Sequence, residues 1–140
     1  MGKLDRSSDW AHCMAPSLEE IEQIAIVAYA ALPVEFRSLC GDIQLHVADF
    51  PDEEIADEMG LETPYDILGL FEGSAIAEAS APATGQLPNR ILLYRRPILD
   101  YWAEHEETLG ALVSHVLIHE IGHHFGLSDD DMEALEDAAD

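Results

Sequence analysis

Basic residues are scarce in this sequence, and their scarcity excludes one large class of partner. Six Lys and Arg residues stand against 29 Asp and Glu residues, which gives a formal net charge of -23 at pH 7. Proteins that bind nucleic acid or anionic membrane surfaces need a basic face to contact phosphate groups. We therefore expect neither nucleic acid nor a membrane as a partner. An acidic chain suits a cation or a basic peptide instead.

Cysteine and long apolar runs are also scarce. Cys13 and Cys40 are the two cysteines. Because they lie far apart and outside any metal-type spacing, we predict two free thiols in a reducing compartment, with a single disulfide as the alternative. No stretch reaches the roughly 18 consecutive apolar residues that a membrane span requires. The N-terminus lacks the apolar segment of a secretory signal. These features predict a cytoplasmic protein, and they leave its oligomeric state open, with a monomer compatible.

The length of the chain indicates one domain. Its 140 residues suffice for a single hydrophobic core. Residues 1–16 are polar and predict a flexible N-terminal lead-in, and residues 17–140 are predicted to form the domain. Ser17 and Glu20 have the spacing of a capping box at the start of an amphipathic helix. Pro33 is expected to end that helix.

Strands and further helices are predicted along the rest of the chain. Apolar runs and alternation predict the following elements: strands at 42–49, 66–72 and 90–95, and a short acidic helix at 51–59. Residues 74–88 predict a loop, with a short strand at 75–78 as an option. Helical periodicity then covers 98–107 and, in a longer helix that is apolar on most sides, 107–125. Gly126 is expected to stop that helix, and an acidic tail follows with one short amphipathic helix. The pattern predicts an α+β protein.

The motif His119-Glu120-Ile121-Gly122-His123 carries the most specific chemistry in the chain. Histidines at positions i and i+4 of a helix project from one face, so two imidazole nitrogens can reach one metal ion. Zinc suits imidazole ligands and lowers the pKa of a bound water to about 7. Glu120, about 100° around the helix from His119, is expected to hydrogen-bond that water. Because the helix is largely apolar, an unligated buried cluster would be costly, which favours a metal site.

Asp129 is the expected third ligand. A catalytic zinc usually has three protein ligands and one open position. Gly126 lets the chain reverse after the second histidine, and Asp129 follows three residues later, so the pattern reads H-E-x-x-H-x-x-G-x-x-D. The neighbouring carboxylates of Asp130, Asp131 and Glu133 remain open as substitutes.

The run HEIGHHFGLSDDDM, with the upstream segments PYDILGLFEG and LPNRILLYRRPI, resembles the bacterial minimal metalloprotease family, zincin-like metallopeptidases with a metzincin-type motif. The resemblance covers roughly residues 17–132. It implies a zincin-like α+β fold in which a small mixed β-sheet packs on helices, with the buried motif helix at its centre. It also implies the roles of the site residues: one zinc ion per chain bound by His119, His123 and Asp129, and Glu120 as the catalytic base.

These observations predict a zinc-dependent metallopeptidase, an endopeptidase acting on peptides or unfolded protein segments. Glu120 would accept a proton from the attacking water and return it to the leaving amine. An extended peptide is expected to add to a sheet edge at 66–72 or 75–78, with the 74–88 loop over the cleft. The alternative is a catalytically weak zinc-binding interaction module of the same fold. Hydrolysis of a non-peptide amide also stays open, as does iron in place of zinc.

Other polar residues have less defined roles. His115 lies one turn before the motif and is either a cleft residue or a partly buried histidine. His124 points away from the metal face and is predicted to be structural. Tyr94, Arg95 and His46 are candidates to assist at an oxyanion, although no pattern places them there.

Overall fold

The computed structural model describes residues 10–73 and 89–139. The predicted loop at 74–88, its optional strand at 75–78 and the first nine residues lie outside the described residues. The elements are, in chain order, α1 (Leu18–Ala30), α2 (Val34–Cys40), β1 (Ile43–Ala48), α3 (Glu53–Met59), a 3-10 turn (Pro64–Asp66), β2 (Gly69–Glu72), β3 (Asn89–Tyr94), α4 (Arg95–Glu104), α5 (Leu109–His124) and α6 (Asp129–Ala139). This mixture confirms the α+β class.

The first helix begins as predicted, and the second was not predicted. Ser17 Oγ accepts a hydrogen bond from the Glu20 amide at 3.1 Å, and Glu20 Oε1 accepts one from the Ser17 amide at 2.8 Å, which confirms the capping box. Pro33 separates α1 from α2 and is itself the N-cap of α2. No element was predicted between Pro33 and the strand at 42–49, yet α2 buries Phe36 and Cys40, which lie four residues apart on one helical face.

Three strands form a mixed sheet in the order β1-β3-β2. β1 pairs with β3 in parallel from Ile43↔Asn89 onward, and β2 pairs with β3 antiparallel from Gly69↔Leu93 onward. Among the described strands, β2 is therefore an edge. It begins at Gly69 rather than at Asp66 because Asp66 closes the 3-10 turn, where its carboxylate accepts hydrogen bonds from the amides of residues 62 and 63.

The motif helix α5 packs against the sheet and against three other helices. It contacts β2 and β3, and it also contacts α1, α4 and α6. Val113, Leu117 and Ile121 are fully buried along it, so the apolar pattern correctly predicted a central buried helix. Gly69 lies at a close approach of β2 to α5, because a Cβ there would lie 2.9 Å from both Val116 Cγ1 and the Leu92 carbonyl oxygen.

The remaining helices differ from the prediction at their ends. α4 starts at Arg95, directly after β3, and not at Ile98; Pro97 is tolerated in its first turn, where an amide has no intrahelical acceptor. Within residues 10–73 and 89–139, no single helix is both long and apolar enough to cross a membrane; α1 and α2 pass only as a pair bent by 117°.

Candidate metal centre

Both ends of the motif helix are set by local interactions. Thr108 Oγ1 accepts a hydrogen bond from the Ala111 amide at 3.1 Å and caps the N-terminus of α5. At the other end Gly126 adopts a φ of 77°, and the Leu127 amide donates to the Gly122 carbonyl at 2.9 Å. This pair of features is a Schellman motif, which needs a left-handed residue that glycine supplies at little cost. The predicted stop at Gly126 is confirmed.

The two motif histidines lie on neighbouring turns of α5 with their rings close together. The ring centroids of His119 and His123 are 5.6 Å apart, and the ring planes are nearly perpendicular, at 80°. The His119 side chain is 27% exposed, while His123 is exposed. The helix therefore presents one imidazole partly inside the protein and the other in solvent, on the same side.

Glu120 is a partly buried carboxyl with no hydrogen-bond partner among the described residues. Burial raises its pKa from 4.5 to about 7, because desolvation disfavours the ionised form. A carboxyl in this state can take up and release a proton near neutral pH. The structure thus places a candidate general base directly beside the first motif histidine.

Asp129 is the first residue of α6 and is exposed. Ser128 caps this helix: its Oγ accepts a hydrogen bond from the Asp131 amide at 3.1 Å. In the described part of the chain, Asp129 does not join His119 and His123 in a group of three donor atoms that all lie within 4.8 Å of one another. Its assignment as third ligand stays a prediction, as do the alternatives.

A different carboxylate contacts His119. Glu136 Oε2 lies 3.1 Å from His119 Nε2, and Glu136 Oε1 lies 2.6 Å from His115 Nδ1. The rings of His115 and His119 stack, with centroids 4.1 Å apart. These residues form the three-donor group that the described residues do bring together within 4.8 Å. Desolvation raises the pKa of the Glu136 carboxyl, but hydrogen bonds and charge from the two histidines outweigh it and lower that pKa overall.

The donors on α5 and α6 fit a zinc ion. Zinc binds imidazole nitrogen and carboxylate oxygen at about 2.0–2.2 Å in tetrahedral geometry, which puts neighbouring ligand atoms roughly 3.3 Å apart. The 3.1 Å between His119 Nε2 and Glu136 Oε2 is close to that separation. The donors on this face of α5 are therefore compatible with a bound zinc ion.

The sequence prediction does not include Glu136. It places the candidate ligands of the acidic tail at its beginning, where Asp129 follows Gly126 in the motif. A helical signal was nevertheless present, because Glu136 is four residues beyond Met132 and shares its face of α6. Met132 is fully buried, and a Cβ at Gly122 would meet its Sδ at 2.6 Å. The face that carries Glu136 is thus the one that packs on α5.

The three residues considered as candidates to assist at an oxyanion lie in different surroundings. His46 is exposed on β1 and lies 3.1 Å from Gln44 Oε1. Arg95 donates to Asp49 Oδ1 at 3.0 Å. Tyr94 is buried with no partner for its hydroxyl in the described part of the chain; burial, followed by nearby carboxylates that include Glu120, raises its pKa to about 12.

His124 is held by aromatic contacts. Its ring lies 4.3 Å from that of Phe71 on β2 and 4.9 Å from that of Phe125. Its Nε2 is buried, with no hydrogen-bond partner among the residues described. It therefore links the motif helix to the edge strand, in keeping with the structural role expected of it.

The fold is α+β, and its buried HExxH helix carries His and Glu donors that converge, which is typical of proteins that bind a metal on a helix. The family model for zincin-like metallopeptidases matches residues 40–139. The match covers more than half of the chain, so this protein belongs to the zincin-like metallopeptidase family. A search of curated proteins finds no significant match. Membership implies a metal, which in this family is typically zinc, and the His115–His119–Glu136 group could bind one.

Proposed function

We propose that this protein is a zinc-dependent metallopeptidase in which His119, His123 and Asp129 hold one zinc ion and Glu120 is the general base. The observation that carries the proposal is the state of Glu120. It follows His119 directly, it is partly buried, it has no hydrogen-bond partner among the described residues, and its pKa is raised to about 7. A carboxyl with no structural partner in such a position is available for proton transfer.

In this proposal Glu120 carries out the proton transfers. Zinc, when bound, supplies a Lewis acid that polarises the scissile carbonyl and acidifies water. The Glu120 carboxylate accepts the proton of the attacking water and then gives it to the leaving amine nitrogen. A pKa near the working pH suits both steps, because the same oxygen must first accept the proton and later release it.

The substrate proposed is an extended peptide or an unfolded protein segment. β2 is an edge among the described strands and contacts α5. A peptide paired with that edge would run past the motif helix, with main-chain hydrogen bonds holding it. The net charge of -23 favours basic peptides. The proposed compartment is the cytoplasm, which suits an exposed Cys13 and a buried Cys40 that are both free.

Substitution Glu120→Gln tests the catalytic proposal. We expect the variant to keep its zinc and to lose hydrolysis of an unfolded casein or a fluorogenic basic peptide by a factor of about 10² or more, because glutamine cannot take up the proton. The matched control is Glu58→Gln, at an exposed glutamate of α3. Equal hydrolysis by the Glu120 variant and the parent would refute the role of base. If the zinc-loaded parent itself hydrolyses nothing, the interaction-module alternative is favoured.

Metal content tests the ligand assignment separately. We expect one zinc per chain in the parent by elemental analysis, a large loss in His119→Ala and a weaker affinity in Asp129→Ala. Single alanine variants at Asp130, Asp131 and Glu133 serve as controls and as tests of the alternative third ligands. Full zinc affinity in the Asp129 variant, with a loss in one of these neighbours, would move the third ligand to that neighbour.

A further inference from the structure

A second set of metal donors lies one helical turn from the motif pair. His115, His119 and Glu136 present ligand atoms that all lie within 4.8 Å of one another. The Glu136 carboxylate bridges the two rings, with one oxygen 2.6 Å from His115 Nδ1 and the other 3.1 Å from His119 Nε2. All three side chains are partly exposed, so an ion has access from solvent.

The helical pair α5–α6 explains why these residues meet. His115 and His119 are four residues apart, and therefore on one face of α5. Met132 anchors α6 on that helix beside Gly122, and Glu136 lies one turn farther along the same face of α6. All three residues lie within helices and none lies in a loop. Sites supported in this way hold their geometry.

We propose that His115, His119 and Glu136 form a second binding position for a divalent transition metal such as Zn²⁺ or Co²⁺. Two imidazole nitrogens and one carboxylate oxygen are a common ligand set for such ions. This position uses His119, the same residue that the motif position needs. Occupation of one position therefore excludes occupation of the other, and the chain binds one ion in either of two arrangements.

The second position differs from the motif position in its access to a base. Glu120 lies on the turn of α5 between His119 and His123. A metal held one turn earlier, by His115, His119 and Glu136, would therefore lie farther from the carboxyl proposed for proton transfer. It would be stored in a hydrolytically inactive arrangement. The existence of the position itself does not depend on whether the chain is a peptidase.

Cobalt binding to the full-length chain separates the two positions. In His123→Ala the motif pair is broken and the second position is left intact. We expect this variant to bind one equivalent of Co²⁺, with a visible absorption spectrum that differs from that of the parent. Adding His115→Ala or Glu136→Gln should weaken the binding at least tenfold. The matched control, Glu133→Gln in the same background, changes an exposed carboxyl of α6 and should leave the affinity unaltered.

A second measurement identifies the bound atom. In long-range ¹H–¹⁵N spectra of the His123→Ala variant, added Zn²⁺ should shift the His115 Nδ1 resonance. A histidine with a purely structural role would show no such shift. Circular dichroism verifies that each variant is folded. Equal Co²⁺ affinity with and without His115, or no binding by a folded His123→Ala chain, would overturn the proposal and leave a hydrogen-bonded cluster only.

A separate variant tests metal binding at the motif position independently of the second position. His115→Ala alone retains the motif residues, so its Co²⁺ binding reports on them and not on the second position. Loss of binding in that variant would count against the proposed function while the second position stood. Saturation of the parent by two equivalents instead of one would overturn the mutual exclusion.

Discussion

Replacement of Glu120 by glutamine should stabilise the metal-free protein at alkaline pH. In the unfolded chain a glutamate carboxyl ionises near pH 4.5, whereas burial raises the pKa of Glu120 in the folded protein to about 7. The folded state thus holds a proton that the unfolded state has released between these two values. The stability that comes from this difference is complete below about pH 4.5 and is lost as the pH rises through about 7.

The magnitude follows from the two pKa values. Each unit of difference is worth about 1.4 kcal/mol, so an ionised Glu120 costs the folded state about 3 kcal/mol at pH 8. Glutamine is neutral at every pH and avoids this cost. The variant should therefore exceed the parent in free energy of unfolding, and the excess should be larger at pH 8 than at pH 5 by about 2–3 kcal/mol.

Urea unfolding followed by circular dichroism measures this excess, on protein treated with a chelator. Other groups titrate equally in both proteins, so the difference between them isolates Glu120. Glu58→Gln, at an exposed position, should stay within about 0.5 kcal/mol of the parent at both pH values. An excess that is the same at pH 8 and pH 5, or a Glu120 variant less stable than the parent at pH 8, would refute the burial argument.

Two packing predictions concern the surroundings of the motif helix. Met132→Ala should lower the free energy of unfolding by about 2–5 kcal/mol, because it leaves a cavity under α5, whereas Met59→Ala, at a side chain that is 49% exposed, should change it by less than about 0.5 kcal/mol; equal effects in thermal or urea unfolding would contradict the packing. Gly69→Ala should cost about 1–3 kcal/mol because its Cβ would meet Val116 Cγ1 at 2.9 Å. Gly110→Ala on α5 has open space within 4 Å and should be neutral or stabilising by up to about 1 kcal/mol; a Gly69 variant as stable as the parent would refute the close approach.

Features that depend on neighbours in sequence were predicted well. The capping box at Ser17, the stop at Gly126 and the buried character of α5 each follow from side chains within one or two helical turns. Alternation correctly predicted β1, whose His46 faces solvent. The α+β class follows from these elements, because their type is decided locally even when their boundaries are not.

Features that depend on distant contacts were predicted poorly. α2 is short and follows a proline directly, so its two buried residues do not produce a visible period, and its stability comes from packing. The late start of β2 results from the 3-10 turn at Pro64–Asp66. The contact between Glu136 and His119 spans α5, a turn and α6. Nothing in the local sequence specifies how closely those two helices approach.

The arrangement of α5 and α6 also explains why one chain can offer two metal positions. His115, His119 and His123 recur every four residues and share one face of α5. Asp129 and Glu136 are seven residues apart, which is close to two turns, so they share one face of α6 as well. Because α6 returns along α5 after the turn at Gly126, its first residue is nearest the end of α5 that carries His123, and Glu136 reaches the His115 end. Under the two proposals each pair of histidines has a carboxylate of its own, Asp129 for one and Glu136 for the other, with His119 common to both. If both proposals hold, the pair that binds the metal decides whether Glu120 takes part in hydrolysis.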